Sequence, residues 1–188
     1  MELVTVVLIA IGLAMDAFSV CIVSGVKIRT LSARHYFRLS FHFGLFQFLM
    51  PLIGYYGGVM IENSVQSYDH WIAFALLLII GLKMLWESLG QEEETETLKR
   101  GDPSRGMTLV ILSLATSIDA AAVGFSFAAL QVPIVFPAII IGLVCILFSA
   151  IGLFIGDKIG MIIGQWAERI GGLLLILIGV KILTDHIS

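Results

Sequence analysis

The chain has 188 residues, 59% of them hydrophobic and 13% charged, with a formal net charge of −3 and a mean hydropathy of +1.01. That composition excludes an ordinary soluble domain and fits an all-α integral membrane protein whose surroundings are a lipid bilayer. It gives no reason to expect a nucleic-acid partner, and the small net charge says less than where the charges lie.

The first apolar run covers about residues 3–25, enough for the roughly 20 residues a bilayer crossing needs. Met1-Glu2 carries no positive leader and no small-residue cleavage site follows, so this run is expected to stay as a span and not to be a cleaved signal. Near its midpoint, Asp16 sits within Gly12-Leu13-Ala14-Met15-Asp16-Ala17-Phe18-Ser19-Val20. A carboxylate at that depth is costly and marks a protein interior that does work. A basic loop follows with Lys27, Arg29, Arg34 and His35. The second span, about 36–59, carries Arg38 at its start, Gln47 at mid-depth and Pro51 as an expected kink. The third, about 70–88, has Trp71 and Trp86 near its ends as interfacial anchors.

One polar stretch interrupts the apolar pattern, from Glu87 to Gly106, with Glu92-Glu93-Glu94-Thr95-Glu96 and then Lys99-Arg100. It reads as a solvated linker; capture of cations by its acidic run is the alternative. The fourth span, about 107–129, repeats the first device with Asp119 in Ala115-Thr116-Ser117-Ile118-Asp119-Ala120. A short turn with Pro133 leads into a fifth span, about 134–156, and a charged loop precedes a sixth, about 168–186. With the N-terminus outside, Lys27, Arg29, Arg34, Arg38, Lys83, Lys99, Arg100, Arg105, Lys158 and Arg169 lie on the inner side and Lys181 alone on the outer. This bias predicts that both termini are extracytoplasmic.

The two halves match. Asp16, Ala17 and Val20 recur 103 residues later as Asp119, Ala120 and Val123. Gly44-Leu45, Gly54 and Gly58 recur 98 residues later as Gly142-Leu143, Gly152 and Gly156, and Lys83 recurs as Lys181. Three spans per repeat is odd, so the second copy enters from the opposite side. The expected architecture is a single transmembrane domain, 1–188, of six helices in two inverted-topology three-helix repeats: repeat one 1–90, cytoplasmic linker 91–106, repeat two 107–188. The paired small residues permit close helix contact.

Two carboxylates brought together at the midplane suit a divalent cation and also suit protons. Ser19, one turn after Asp16, and Thr116, one turn before Asp119, lie on the aspartate faces; the alternative for these hydroxyls is bonding to their own backbone. Gln47 offers an amide oxygen. Met15 offers sulfur, but it lies about 100° around the helix from Asp16 and joins only if the helix unwinds; otherwise it fills the core. His42 reads as a structural histidine, with proton relay as the alternative. Lys83 and Lys181 sit near span ends and are expected to snorkel. Cys21 and Cys145 form no CxxC pair and read as core-filling thiols.

The segments Met15-Asp16-Ala17-Phe18, Pro51-Leu52-Ile53-Gly54, Asp69-His70-Trp71-Ile72-Ala73-Phe74 and Ala115-Thr116-Ser117-Ile118-Asp119-Ala120 resemble the signatures of the bacterial manganese efflux pump family, MntP, over essentially the whole chain. The resemblance implies export of Mn²⁺ from the cytoplasm across the inner (plasma) membrane, with the family's important membrane aspartates at Asp16 and Asp119. Some relatives carry Glu where this chain has Gln47, which leaves a charged role there unsupported. The candidate metal ligands are Asp16, Asp119, Gln47, Thr116, Ser19 and Met15; Mn²⁺ is cargo, and no cofactor is expected.

No GxxxxGK[ST] loop is present to support ATP-driven transport. Moving a free dication outward against an inside-negative potential costs about 4.6 kcal/mol per 100 mV, twice the value for one charge. Exchange for two protons, one on each aspartate, cancels that voltage term, so protons are the expected counter-substrate. The competing readings are a membrane redox enzyme, opposed by the missing CxxC and by a single deep histidine, and an exporter of another solute such as an amino acid.

Overall fold

The computed structural model describes residues 3–28, 31–61, 69–87 and 103–159, together with the isolated positions Leu173, Ile176, Leu177 and Val180. Every element among them is an α-helix: α1 (Leu3–Lys27), α2 (Ala33–Ile61), α3 (Asp69–Glu87), α4 (Gly106–Ala115), α5 (Ile118–Ala129) and α6 (Val135–Ile159). Four stretches, Leu3–Lys27, Ala33–Met60, Gly106–Ala129 and Val135–Gly156, are long and apolar enough to cross a membrane, which makes the chain a multi-pass membrane protein. The acidic run 92–96, nearly all of the sixth expected span and Lys181 lie outside the described residues.

Burial does not follow how apolar a helix is, since α6 is more apolar than α1 yet less buried. Within its most apolar stretch α1 is 78% buried, against 28% for α2 and 39% for α6. Ile9, Ala10, Ala14, Ala17, Val20 and Cys21 are fully enclosed on all sides of α1, so it is the central helix. α2 instead exposes a stripe of Phe37, Phe41, Leu45, Leu49, Ile53, Tyr56 and Met60 while burying Leu39, Phe43 and Gln47. α6 exposes Val135, Ile139, Leu143, Leu147 and Ile151 and buries Ala138, Ile141 and Cys145. Outward apolar stripes of this length suit lipid, not water.

Between helices in lipid, close packing replaces the hydrophobic drive, and glycine permits it here. A Cβ on Gly44 would lie 2.9 Å from the Gly142 carbonyl oxygen, and one on Gly142 3.1 Å from that of Gly44. α2 also meets α5, where Gly54 abuts the Ala121 carbonyl, and α6 meets α1, where a Cβ on Gly152 would lie 2.6 Å from the Phe18 carbonyl. Gly58 faces Phe125 and Gly156 faces Ile22. Pro51 lies inside α2 without ending it.

The fourth span departs from the continuous helix expected over 107–129. It is broken at Thr116–Ser117 into α4 and α5. The local cause is a run of hydroxyls that donate back to the backbone: Ser113 to the Leu109 carbonyl (2.8 Å), Thr116 to Leu112 (3.0 Å) and Ser117 to Leu114 (3.0 Å). Such bonds bend helices. Backbone bonding also tightens to three residues, Ser117 N–H to Leu114 (3.1 Å) and Ala120 N–H to Ser117 (3.1 Å). α5 then ends in a Schellman motif. The Val132 N–H donates to Phe127 and the Gln131 N–H to Ala128, with Gln131 in the left-handed region at φ 54° and Pro133 barring continuation.

Candidate functional site

Asp16 and Asp119 are both buried, 8% and 5% exposed. Asp16 is carried by the unbroken α1. Asp119 stands in the first turn of α5, where the unpaired N–H groups and dipole of a helix start favour negative charge. The break therefore puts a buried carboxylate at a helix N-terminus, a placement that a continuous fourth span would not allow.

Gln47 joins the two aspartate-bearing segments. Its side chain is fully buried, and Nε2 donates to the carbonyl of Leu13 at 3.1 Å and to that of Thr116 at 3.0 Å. Both partners are acceptors, so the amide orientation is dictated by the network. Thr116 needs this bond. Its regular helical donor would be the Ala120 N–H, which is turned to Ser117, and a buried orphaned carbonyl is costly. Leu13 and Thr116 each lie three residues ahead of an aspartate, Asp16 and Asp119. One amide thus ties together the approaches to both carboxylates.

The other end of the same side chain is unsatisfied: Gln47 Oε1 is buried with no hydrogen-bond partner. Four residues later Pro51 has no N–H, so the backbone carbonyl of Gln47 also loses its helical donor. Gln47 therefore presents oxygen atoms suited to a hard cation.

The remaining candidates separate. Ser19 is buried at 3% exposure. The Thr116 hydroxyl spends its proton on the Leu112 carbonyl, leaving only its lone pairs for a cation, and the break removes the regular one-turn relation to Asp119. Met15 belongs to the buried core cluster that also holds Ile9, Leu13, Phe18 and Phe127, and α1 does not unwind around it. His42 is only partly buried, and its Nδ1 lies 2.8 Å from the Arg38 carbonyl, one turn back on its own helix. Cys21 and Cys145 are free and buried, with Cys145 Sγ 3.8 Å from Ser149 Oγ. Among the described residues no group of three or more His, Cys, Asp or Glu side chains clusters as a metal site.

Lys83 corrects the sequence reading. Instead of snorkelling to the membrane edge it reaches from α3 to Asp119, with Nζ 3.1 Å from Oδ1 and 3.0 Å from Oδ2. Its side chain is 43% exposed and that of Asp119 7%. The one sequence signal that pointed to it was its match with Lys181 across the repeat.

The family described as "Putative manganese efflux pump" matches residues 30–183 of the chain. Relatives that carry the name "Putative manganese efflux pump MntP" include the following three. The protein of Syntrophotalea carbinolica is 47% identical over 186 residues, covering 99% of this chain and 98% of its own. That of Nitratidesulfovibrio vulgaris (strain DP4) is 48% identical over 180 residues, covering 95% and 89%. That of Methanothermobacter thermautotrophicus is 44% identical over 188 residues, covering 100% and 99%. No solved structure matches. These names describe transporters, not enzymes, which sets aside the redox-enzyme alternative. By family and by near full-length similarity, the chain belongs to the manganese efflux pump family MntP.

Proposed function

We propose that this protein exports Mn²⁺ from the cytoplasm, in exchange for protons, through a midplane site built on Asp16 and Asp119. The observation that carries the site is the Gln47 amide, which bonds the carbonyls of Leu13 and Thr116, three residues ahead of the two aspartates. Asp16, Asp119 and the unpartnered Gln47 Oε1 form the proposed shell, with the Ser19 and Thr116 oxygens completing it. Met15 would enter only in a state where α1 unwinds. Carboxylate and amide oxygens are the donors manganese prefers, and the relatives' names support manganese as the cargo.

The inverted repeat belongs to the same proposal, and helix contacts support it. Phe18 and Ala121 are 103 residues apart, as are Ile22 and Phe125; Gly54 and Gly152 are 98 apart, as are Gly58 and Gly156. The contacts Gly54 with Ala121 and Gly152 with Phe18 thus form an equivalent pair, as do Gly58 with Phe125 and Gly156 with Ile22. Gly44 and Gly142, also 98 apart, touch each other, as residues beside a two-fold axis must. Rocking of one repeat on the other about that contact would expose the site alternately to each side. An inner (plasma) membrane location, which the family resemblance implies, and termini outside, which the basic residues favour, complete the reading.

The test is Mn²⁺ resistance of cells expressing Asp16→Asn or Asp119→Asn, with membrane abundance measured alongside. Each variant is expected to lose resistance at normal abundance. Near-normal resistance from either would reject the shared site, and a change in intracellular amino acid instead of metal would favour the other-solute reading.

A further inference from the structure

Lys83 occupies the same carboxylate that the metal would need. Its ammonium bonds both oxygens of Asp119, at 3.1 and 3.0 Å. A dication ligated by either oxygen would lie next to that ammonium, and charges of +2 and +1 on one carboxylate repel strongly outside bulk water. Metal and lysine therefore compete for Asp119 in this geometry. The two partners also differ in freedom: Asp119 is enclosed at the start of α5, while the lysine side chain is 43% exposed on a flexible four-carbon stem. The lysine can leave, and the aspartate cannot follow.

We propose that Lys83 is a tethered counter-cation of the transport site, holding Asp119 when the site is empty and displaced from it when Mn²⁺ binds. The inference rests on Asp119 being a metal ligand. It gives the pump a built-in competitor: each binding event works against the lysine, and the returning ammonium helps expel the ion. A transport site must bind well enough to load and weakly enough to release, and Lys83 sets that balance. A purely structural pair fastening α3 to α5 is the contrasting role, and the two predict opposite signs. Loss of a structural pair weakens binding and turnover together, whereas loss of a competitor tightens binding while slowing release.

The experiment measures Mn²⁺ affinity of the purified protein and Mn²⁺ export in proteoliposomes. Lys83→Gln is expected to lower the Kd for Mn²⁺ by about two- to fivefold, the range a partly exposed ion pair supplies, and to reduce turnover at saturating Mn²⁺. Lys83→Arg, which keeps the charge, brings both back toward the wild type. An unchanged or weaker affinity in Lys83→Gln overturns the proposal. A second measurement needs no substitution: in the wild-type protein, acylation of Lys83 by a small water-soluble amine reagent should speed up several-fold when Mn²⁺ binds. A rate indifferent to bound Mn²⁺ also overturns it. Asp119→Asn separates the two levels. If that variant binds Mn²⁺ like the wild type, the site assignment falls and the Lys83 role with it. If binding depends on Asp119 yet Lys83→Gln leaves affinity unchanged, only the Lys83 role falls.

Discussion

Replacing Gln47 by Leu tests whether one amide holds the broken span in place. The substitution keeps a buried apolar volume of similar size but removes two hydrogen bonds, to Leu13 at 3.1 Å and to Thr116 at 3.0 Å. The two losses are unequal. Leu13 lies inside α1 and keeps a helical donor, so its loss costs about 0.5–1 kcal/mol. The Thr116 carbonyl is left buried without its regular donor, which costs about 1–3 kcal/mol. Removing the unpartnered Oε1 returns part of that, since burying an unsatisfied oxygen is itself unfavourable. The net expectation is a loss of about 1–3 kcal/mol, and a melting midpoint in detergent lower by roughly 5 °C, taking a few degrees per kcal/mol for a chain of this size. Mn²⁺ export should fall more than stability does, because the carboxylates lose their shared brace and one proposed ligand. Thermal unfolding of the purified variant and Mn²⁺ resistance in cells check both. A variant with unchanged midpoint and unchanged resistance refutes the bracing argument.

Two further outcomes follow from the proposed topology and energetics. Single cysteines at Gln91 and Ser188 should be labelled by impermeant reagents from opposite sides, with residue 91 inside and residue 188 outside; a cytoplasmic C-terminus removes the inverted repeat. In proteoliposomes, outward Mn²⁺ flux should acidify the lumen; if Asp119 exchanges Lys83 for a proton on the return, two protons pass per ion and the flux ignores a clamped voltage at fixed pH gradient. Flux indifferent to pH rejects proton exchange. Electrogenic flux with a single proton per ion rejects the two-proton count and fits Lys83 as the second balancing cation.

By itself the sequence determined the membrane class, the positions of the described spans to within a few residues, and the two buried aspartates, because transfer of apolar and charged groups into lipid depends on residue type and run length alone. The family was legible too, from short motifs around Asp16 and Asp119. Hydropathy could not tell the buried α1 from the lipid-facing α6, since α6 is if anything the more apolar of the two; only packing showed α1 enclosed and α6 striped. The break at Thr116–Ser117 was hidden for a related reason. Its residues are compatible with a helix, and what makes the break tolerable is a donor from Gln47, 69 residues away. Lys83 was misread because a long flexible stem near a span end has two destinations, the membrane edge and the interior. Sequence favours the edge, and the nearby carboxylate of Asp119, brought up by the packing of α3 on α5, decides for the interior.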